Sequence, residues 1–224
     1  TVSANTASGF SIVSYTGTGA NATIGHGLGS VPKMIIVKCL NQAKAWTVYH
    51  NALGAGKAIF LEQTATPTTS DAYFGGTTPT SSVFSVGSST NVSDNSSNFI
   101  AYCFAEKTGY SKFGSFVGNG SADGCFIYTG FKPSFFMAKK TSAAGDPWVL
   151  IDNKRNPINA LSNTLTPSDA NAENTGTDRA DFLSQGVKIR TTSGAWNASG
   201  ATYIYMAFAE APLVGSNNVP ANAR

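Results

Sequence analysis

Apolar residues along this chain alternate with polar ones in short runs and almost nowhere recur with the period of a helix. Phe10 to Tyr15 spaces Phe, Ile and Val two apart and predicts a strand, closed by the turn-rich Gly17-Thr-Gly19-Ala-Asn21. Met34 to Val37, Trp46 to Tyr49, Ala58 to Leu61, Val83 to Val86 and Phe99 to Ala105 predict further strands. In the last of these both alternating sets are apolar, which predicts a central strand covered on both faces. Pro32 fits only the start or edge of the strand it opens, because it has no N–H to give to a ladder. Gln63 to Ser82 is dense in Thr, Ser, Pro and Gly around Tyr73-Phe74 and predicts a long loop. The nearest approach to a helix is one turn over Ser168 to Asn174.

The same order then returns. Ser14-Tyr15-Thr16-Gly17-Thr18-Gly19 reappears as Ser115-Phe116-Val117-Gly118-Asn119-Gly120, and Gly29-x-x-Pro32 with a run ending in Lys38 reappears as Gly130-x-x-Pro133 with a run ending in Lys139. Both lie at an offset of 101 (115 − 14, 133 − 32). Trp46 to Asn51 matches Trp148 to Asn153 at 102, and Phe99 to Glu106 matches Tyr203 to Glu210 at 104 (148 − 46, 203 − 99). A period this long is a duplicated β-unit, not a solenoid repeat. The second copy predicts strands at Phe126 to Tyr128, Phe135 to Ala138, Trp148 to Ile151, Val187 to Ile189 and Tyr203 to Ala209. The expected architecture is all-β: two duplicated β-sandwich or jelly-roll-like units in close contact. An N-terminal extension covers 1–9, the units 10–108 and 109–213, with Gly109 to Phe113 as a short linker, and a tail covers 214–224.

Composition narrows the function classes. Charged residues make up 12% of the 224, against roughly 25% in an ordinary domain, so the surface is polar but nearly uncharged. The net charge of +3 is carried by scattered Lys and Arg without a polybasic run, which argues against nucleic acid as a partner. No apolar stretch reaches the length of a helical membrane span, so no membrane insertion is expected. Cys39, Cys103 and Cys125 have no cysteine at matching positions in the other copy and read as reduced thiols of core or edge.

Candidate chemistry is sparse. His26 and His50 are the only histidines; the repeat sets them opposite Ile127 and Asp152, and neither has a Cys or acidic residue at ligand spacing. Gly25-His-Gly-Leu-Gly-Ser30 has the glycines of a phosphate loop, but Pro32 and a strand follow where a helix would be needed, so it reads as a tight turn. Asp169-x-Asn171-x-Glu173 has calcium-like spacing but lacks the following Gly and Glu of an EF-hand, and reads as a solvated acidic loop. No catalytic residue, metal site or cofactor is expected. Trp46 and Trp148, at matching strand positions, read as core anchors. Tyr73, Phe74 and Trp196 stand in polar, Gly-rich surroundings and are the sequence's candidates for receptor binding.

The joint string Gly25-His-Gly-Leu-Gly-x-x-Pro-Lys-Met-Ile-Ile-Val-Lys38, Trp46-x-Val-Tyr-His50, Ala101-Tyr-Cys-Phe-Ala-Glu106, Gly109-Tyr-Ser-Lys-Phe-Gly114 and Tyr203-Ile-Tyr-Met-Ala-Phe-Ala-Glu210 resembles a C-terminal domain of unknown function in tail-fibre-like and structural virion proteins of marine bacteriophages. The resemblance spans about Phe10 to Pro212 and carries no site residues across. It implies an extracellular, virion-borne, non-enzymatic appendage component. The implied partners are other virion proteins, copies of itself in a trimer, and a host surface receptor such as a glycan. A purely structural virion or filament subunit, with Thr1 to Gly9 and Val214 to Arg224 pairing with neighbours, is the first alternative; a secreted lectin or glycan hydrolase is the second.

Overall fold

The computed structural model describes residues 1–210 of the 224-residue chain; the 214–224 tail lies outside the described residues. The chain forms two compact units, the first from Thr1–Glu62 and Pro67–Glu106, the second from Gln63–Thr66 and Lys107 onward. Both are all-β, with antiparallel pairing throughout.

Unit 1 contains β1 (Val2–Asn5), β2 (Phe10–Thr16), β3 (Ala22–Gly25), β4 (Pro32–Cys39), β5 (Thr47–His50), β6 (Lys57–Phe60), β7 (Thr68–Thr69), β8 (Val83–Val86) and β9 (Asn98–Ala105), with one-turn helices α1 (Asp71–Phe74) and α2 (Thr90–Ser93). Its main sheet runs β1-β2-β9-β4-β5-β6-β7, and β3-β8 forms a second layer. Val13, Ile35, Val37, Phe99, Ala101 and Cys103 of the large sheet meet Phe84 and Val86 of the small one in a single core. The long central strand predicted at Phe99 to Ala105 is β9, flanked by β2 and β4. Pro32 opens β4, and the register slips beside it.

Unit 2 contains β10 (Ser111–Val117), β11 (Phe126–Tyr128), β12 (Phe135–Lys140), β13 (Val149–Asp152), β14 (Ala180–Leu183), β15 (Gly186–Ile189) and β16 (Thr202–Phe208), with the helical turn α3 (Gly194–Asn197). The order β10-β16-β12-β13 repeats β2-β9-β4-β5, and β11-β15 repeats β3-β8 with β14 added at its edge. Ile127, Val187, Ile189 and Phe182 of this smaller sheet share a core with Phe136, Ala138, Ile151 and Ala207.

Three local expectations are corrected. Thr1–Gly9 is not left for a neighbour to order, since Val2–Asn5 pairs with Phe10–Val13. The linker read over Gly109 to Phe113 contains the start of β10, whose apolar residues pair with β16. Ser168 to Asn174 forms no helix; Asp169 instead turns the chain by accepting from the Thr166 hydroxyl at 2.6 Å and the Asn171 amide at 3.0 Å.

The glycines that survive in both copies have a shared cause. A side chain at Gly17 would strike the Asp94 carbonyl oxygen at 2.2 Å, and one at Gly118 would strike that of Ala198 at 2.4 Å. The strand end is thus laid bare against the exit of α2 or α3. Gly19 and Gly120, at φ 71° and 69°, then turn the chain, and each donates its N–H to a carbonyl of the helical turn, Ser93 at 2.7 Å or Asn197 at 2.9 Å.

A stacked ring pair buttresses the same contact. Tyr15 and Phe99 stack at 5.3 Å, Phe116 and Tyr203 at 4.8 Å. The hydroxyl has changed rings between copies but meets the helical turn in both, where Tyr15 donates to Val92 O at 2.7 Å and Tyr203 to Gly194 O at 2.6 Å. The repeated lysines also correspond. Lys38 donates to the Lys44 carbonyl and lies over the Trp46 ring, while the wholly buried Lys139 donates to Asp146 O at 2.7 Å and Thr64 O at 3.2 Å. Burial pushes the Lys139 ammonium down to about 8. All three cysteines are free thiols, and burial drives that of Cys103 up to about 12.

Two stability outcomes follow from this joint. Asn197 is fully buried, its Nδ2 donating to Ser121 O and Thr191 O and its Oδ1 accepting from Asn119 N. Asn197→Ala strands those partners and is expected to cost about 2–4 kcal/mol by urea denaturation. Tyr203→Phe is expected to cost about 1–2 kcal/mol, and adding Phe116→Tyr, which restores the unit 1 arrangement, to recover part of it in the same assay.

Candidate functional site

Of the three aromatic candidates, Tyr73 and Phe74 are neighbours on α1 of unit 1 and Trp196 belongs to unit 2. Trp196, on α3, is 2% exposed and sits in the unit 2 core; Phe74, on α1, is 2% exposed and packs edge-on against Tyr49. Tyr73 is half-buried and meets Phe60 edge-on at 5.6 Å. Two of the three are thus corrected from loop-borne platforms to core plugs. The cause is that a single helical turn in each case rotates its aromatic inward. Trp196 also has a counterpart, Val92 of α2 (196 − 92 = 104), likewise buried.

Both histidines are absorbed by turns. His26 is fully buried; Nε2–H donates to Thr80 O at 3.1 Å and Nδ1 accepts from Leu28 N at 3.2 Å, so the ring is used neutral. Its structural counterpart is Thr129 rather than Ile127, at an offset of 103 (129 − 26). The N–H groups of His26 and Thr129 bond Ser82 O and Gln185 O, which share that offset, and the Thr129 hydroxyl accepts from Phe131 N as His26 accepts from Leu28 N. His50 does face Asp152 across the repeat, and both side chains accept from the amide two residues on, Ala52 or Lys154. Glu173 pairs with Arg155 at 3.5 Å, and Asp169 is spent on its own turn. The Gly25–Ser30 segment is a turn, with Gly27 and Gly29 at φ 70° and 65°.

The offset of 103 exposes a face that sequence reasoning misses. With Ile127 turned into the core, Phe126 and Tyr128 point outward from β11, 47% and 63% exposed. Across the sheet Tyr128 pairs with Gly186 and Gly186 with Leu183, itself 38% exposed; Phe126 pairs with Lys188, and Lys188 with Asp181. Cross-strand partners share a face, so two aromatics and a leucine form an open apolar shelf. Gly186 is its floor: a Cβ there would meet Ile127 O at 2.1 Å and the Phe126 ring at 3.0 Å.

A polar rail flanks the shelf. Lys188 Nζ donates to Gly124 O at 2.6 Å and pairs with Asp123 at 2.7 Å, while Arg190 Nε donates to Asp181 at 2.6 Å. The hydrogen bond from Lys188 holds the exposed Asp123 carboxyl below the usual carboxylate range. In unit 1 the corresponding outward residues are Thr23, Gly25, Val83 and Ser85, all small or aliphatic. Aromatics set outward beside fixed charges suit the apolar face of a sugar ring, whose hydroxyls the rail can bind.

A family model described as Domain of unknown function (DUF7483) matches residues 1–212. The chain belongs to this family. The match to the DUF7483 domain takes in both copies and therefore the duplication as a whole. No curated protein and no solved structure matches the DUF7483 chain. Its function has to be argued from its own surface.

His26 yields a pH outcome. Burial lowers its pKa below the ordinary histidine value of about 6.5, so above that pH both folded and unfolded rings are neutral and its contribution is complete. Below it the unfolded chain takes up a proton that the folded ring resists, and stability falls with pH. His26→Thr, the unit 2 solution, is expected to flatten this acid-side slope in thermal unfolding measured across a pH series.

Proposed function

We propose that this chain is a non-enzymatic module of a bacteriophage virion appendage, and that the Phe126/Tyr128/Leu183 face of unit 2 contacts a host-surface glycan. The observation that carries the recognition part is the divergence of the two copies: outward aromatics occupy the positions where the first copy has Thr23 and Gly25. A strand gains nothing for its own fold by holding two rings in water. The virion assignment, and a C-terminal place in a longer marine-phage protein, rest on the resemblance of the joint Gly25–Lys38, Trp46–His50 and Tyr203–Glu210 motif.

A shallow shelf binds weakly, and a homotrimer would raise its effective affinity by presenting it several times over. A structural role is the second reading. β1 is a wholly exposed edge strand without charge or proline, the kind of edge that pairs with another chain. Light scattering across a dilution series separates a closed trimer from a growing polymer.

The test is a glycan array followed by host-cell binding. Phe126→Ala/Tyr128→Ala is expected to keep the thermal stability of the parent while losing about 30-fold or more in binding; Thr23→Ala, on the matching face of unit 1, is expected to leave binding unchanged. Full binding by the double variant would refute the assignment.

A further inference from the structure

Unit 2 differs from unit 1 at a second place, the connection after β13. His50 and Asp152 correspond at 102, but the next paired residues, Ile59 and Leu165, correspond at 106 (165 − 59), so the unit 2 connection is four residues longer (106 − 102). The extra length does not collapse onto the sheet. It walls a cleft of about 340 Å³ lined by Lys132, Asn153, Asn156, Ile158, Leu161 and Phe182, among others.

Each wall has a distinct chemistry. Leu161 and Phe182, 1% and 3% exposed, belong to the core and give an apolar floor, while Ile158, 79% exposed, adds an aliphatic side chain to the lining. Asn159 fastens the loop: its amide accepts from Phe182 N at 2.9 Å and donates to Phe182 O at 3.0 Å, imitating a strand partner for β14. Asn156 Oδ1 accepts from Ser162 N at 3.1 Å and Asn163 N at 2.6 Å, which fixes the flip of the amide and leaves its Nδ2 donors without a partner among the described residues. The exposed Lys132 ammonium makes no hydrogen bond and no ion pair within 4 Å among the described residues, its charge acting on Glu210 only at longer range. Asn153 donates to Glu210 at 3.3 Å, while its buried Oδ1 has no hydrogen-bond partner among the described residues.

The cleft therefore offers a cation and an amide N–H2 as donors beside an apolar floor and an exposed aliphatic side chain. An ammonium beside an amide N–H2 matches a carboxylate. An apolar floor matches the C–H face of a ring. We infer that this cleft is a second saccharide subsite of unit 2, selective for a carboxylate-bearing sugar such as a uronic acid. The inference shares with the shelf only the premise that the ligand is a glycan, and stands on different residues.

The probe is trigalacturonate, titrated into the isotopically labelled full chain by NMR, with the neutral trigalactose and triglutamate peptide as comparisons. Saturable shifts are expected at the amides of 153–161, with trigalacturonate at least about tenfold tighter than either comparison. Lys132→Met, which disturbs no hydrogen bond of the loop, and Asn156→Ala are each expected to weaken it about tenfold, and Phe126→Ala/Tyr128→Ala to leave it unchanged. No saturable binding, equal binding of the neutral sugar or the peptide, or indifference to Lys132→Met would overturn the cleft assignment. Binding lost only in the aromatic double variant would place the ligand on the shelf, sinking the cleft while leaving the glycan reading standing.

Discussion

Each unit depends on one close approach: a peptide carbonyl leaving a single helical turn lies against a bare α-carbon at the end of the first large strand. Carbonyl oxygens at 2.2 and 2.4 Å from where a Cβ would sit exclude every residue but glycine at 17 and 118. From that contact the rest is positioned. The helical turn supplies carbonyls to the next glycine and to the buttressing tyrosine, and its own inward residue, Val92 or Trp196, closes the core between the two sheets. The sandwich is thereby sealed at one end by backbone packing, where side-chain volume has no room.

The duplication shows which of these interactions are interchangeable. The hydroxyl that meets the helical turn can ride on either ring of the stacked pair, and the side chain capping the turn after β3 or β11 can be histidine or threonine. What is kept is a donor or acceptor at a point in space, not a residue type. Ser93 and Asn197 show the same rule with unequal reach: the serine hydroxyl accepts from Thr18 N and donates to Ala20 O, while the asparagine spans Asn119, Ser121 and Thr191. The second copy has gained a larger hydrogen-bonded node and, separately, a longer connection after β13.

Much of the fold was legible because it is written in alternation and repetition: β2, β4 to β6, β8, β9, β11 to β13, β15 and β16, the centrality of β9, the inward Trp148 and the unpaired cysteines follow from period, spacing and the comparison of copies, whereas the short β3, β7 and β14, the strand β10 and the half-buried place of Trp46 do not. The site was not. A constant offset of 101 through the glycine-rich turn conceals a two-residue shift, since Pro32 and Pro133 sit at 101 but His26 and Thr129 at 103. A shift of two leaves the inside–outside alternation intact, so nothing in the apolar pattern reveals it. It does change which residues are compared, hiding that Phe126 and Tyr128 replace Thr23 and Gly25. Trp196 and Phe74 misled for the opposite reason: polar neighbours in sequence describe the chain around a one-turn helix, not the direction in which its aromatic points.

Thr64 adds a different kind of constraint. It belongs to unit 2 although unit 1 continues after it, and its carbonyl is one of the two acceptors that receive the buried Lys139 ammonium. The boundary of the ancestral duplication is therefore no longer a boundary of self-sufficiency. The second fold draws on a piece laid down earlier in synthesis, and a gene cut between the copies would leave the Lys139 ammonium short of one acceptor oxygen. The seam of the duplication and the seam of the fold have thus drifted apart, and one hydrogen bond to a buried cation marks the distance between them.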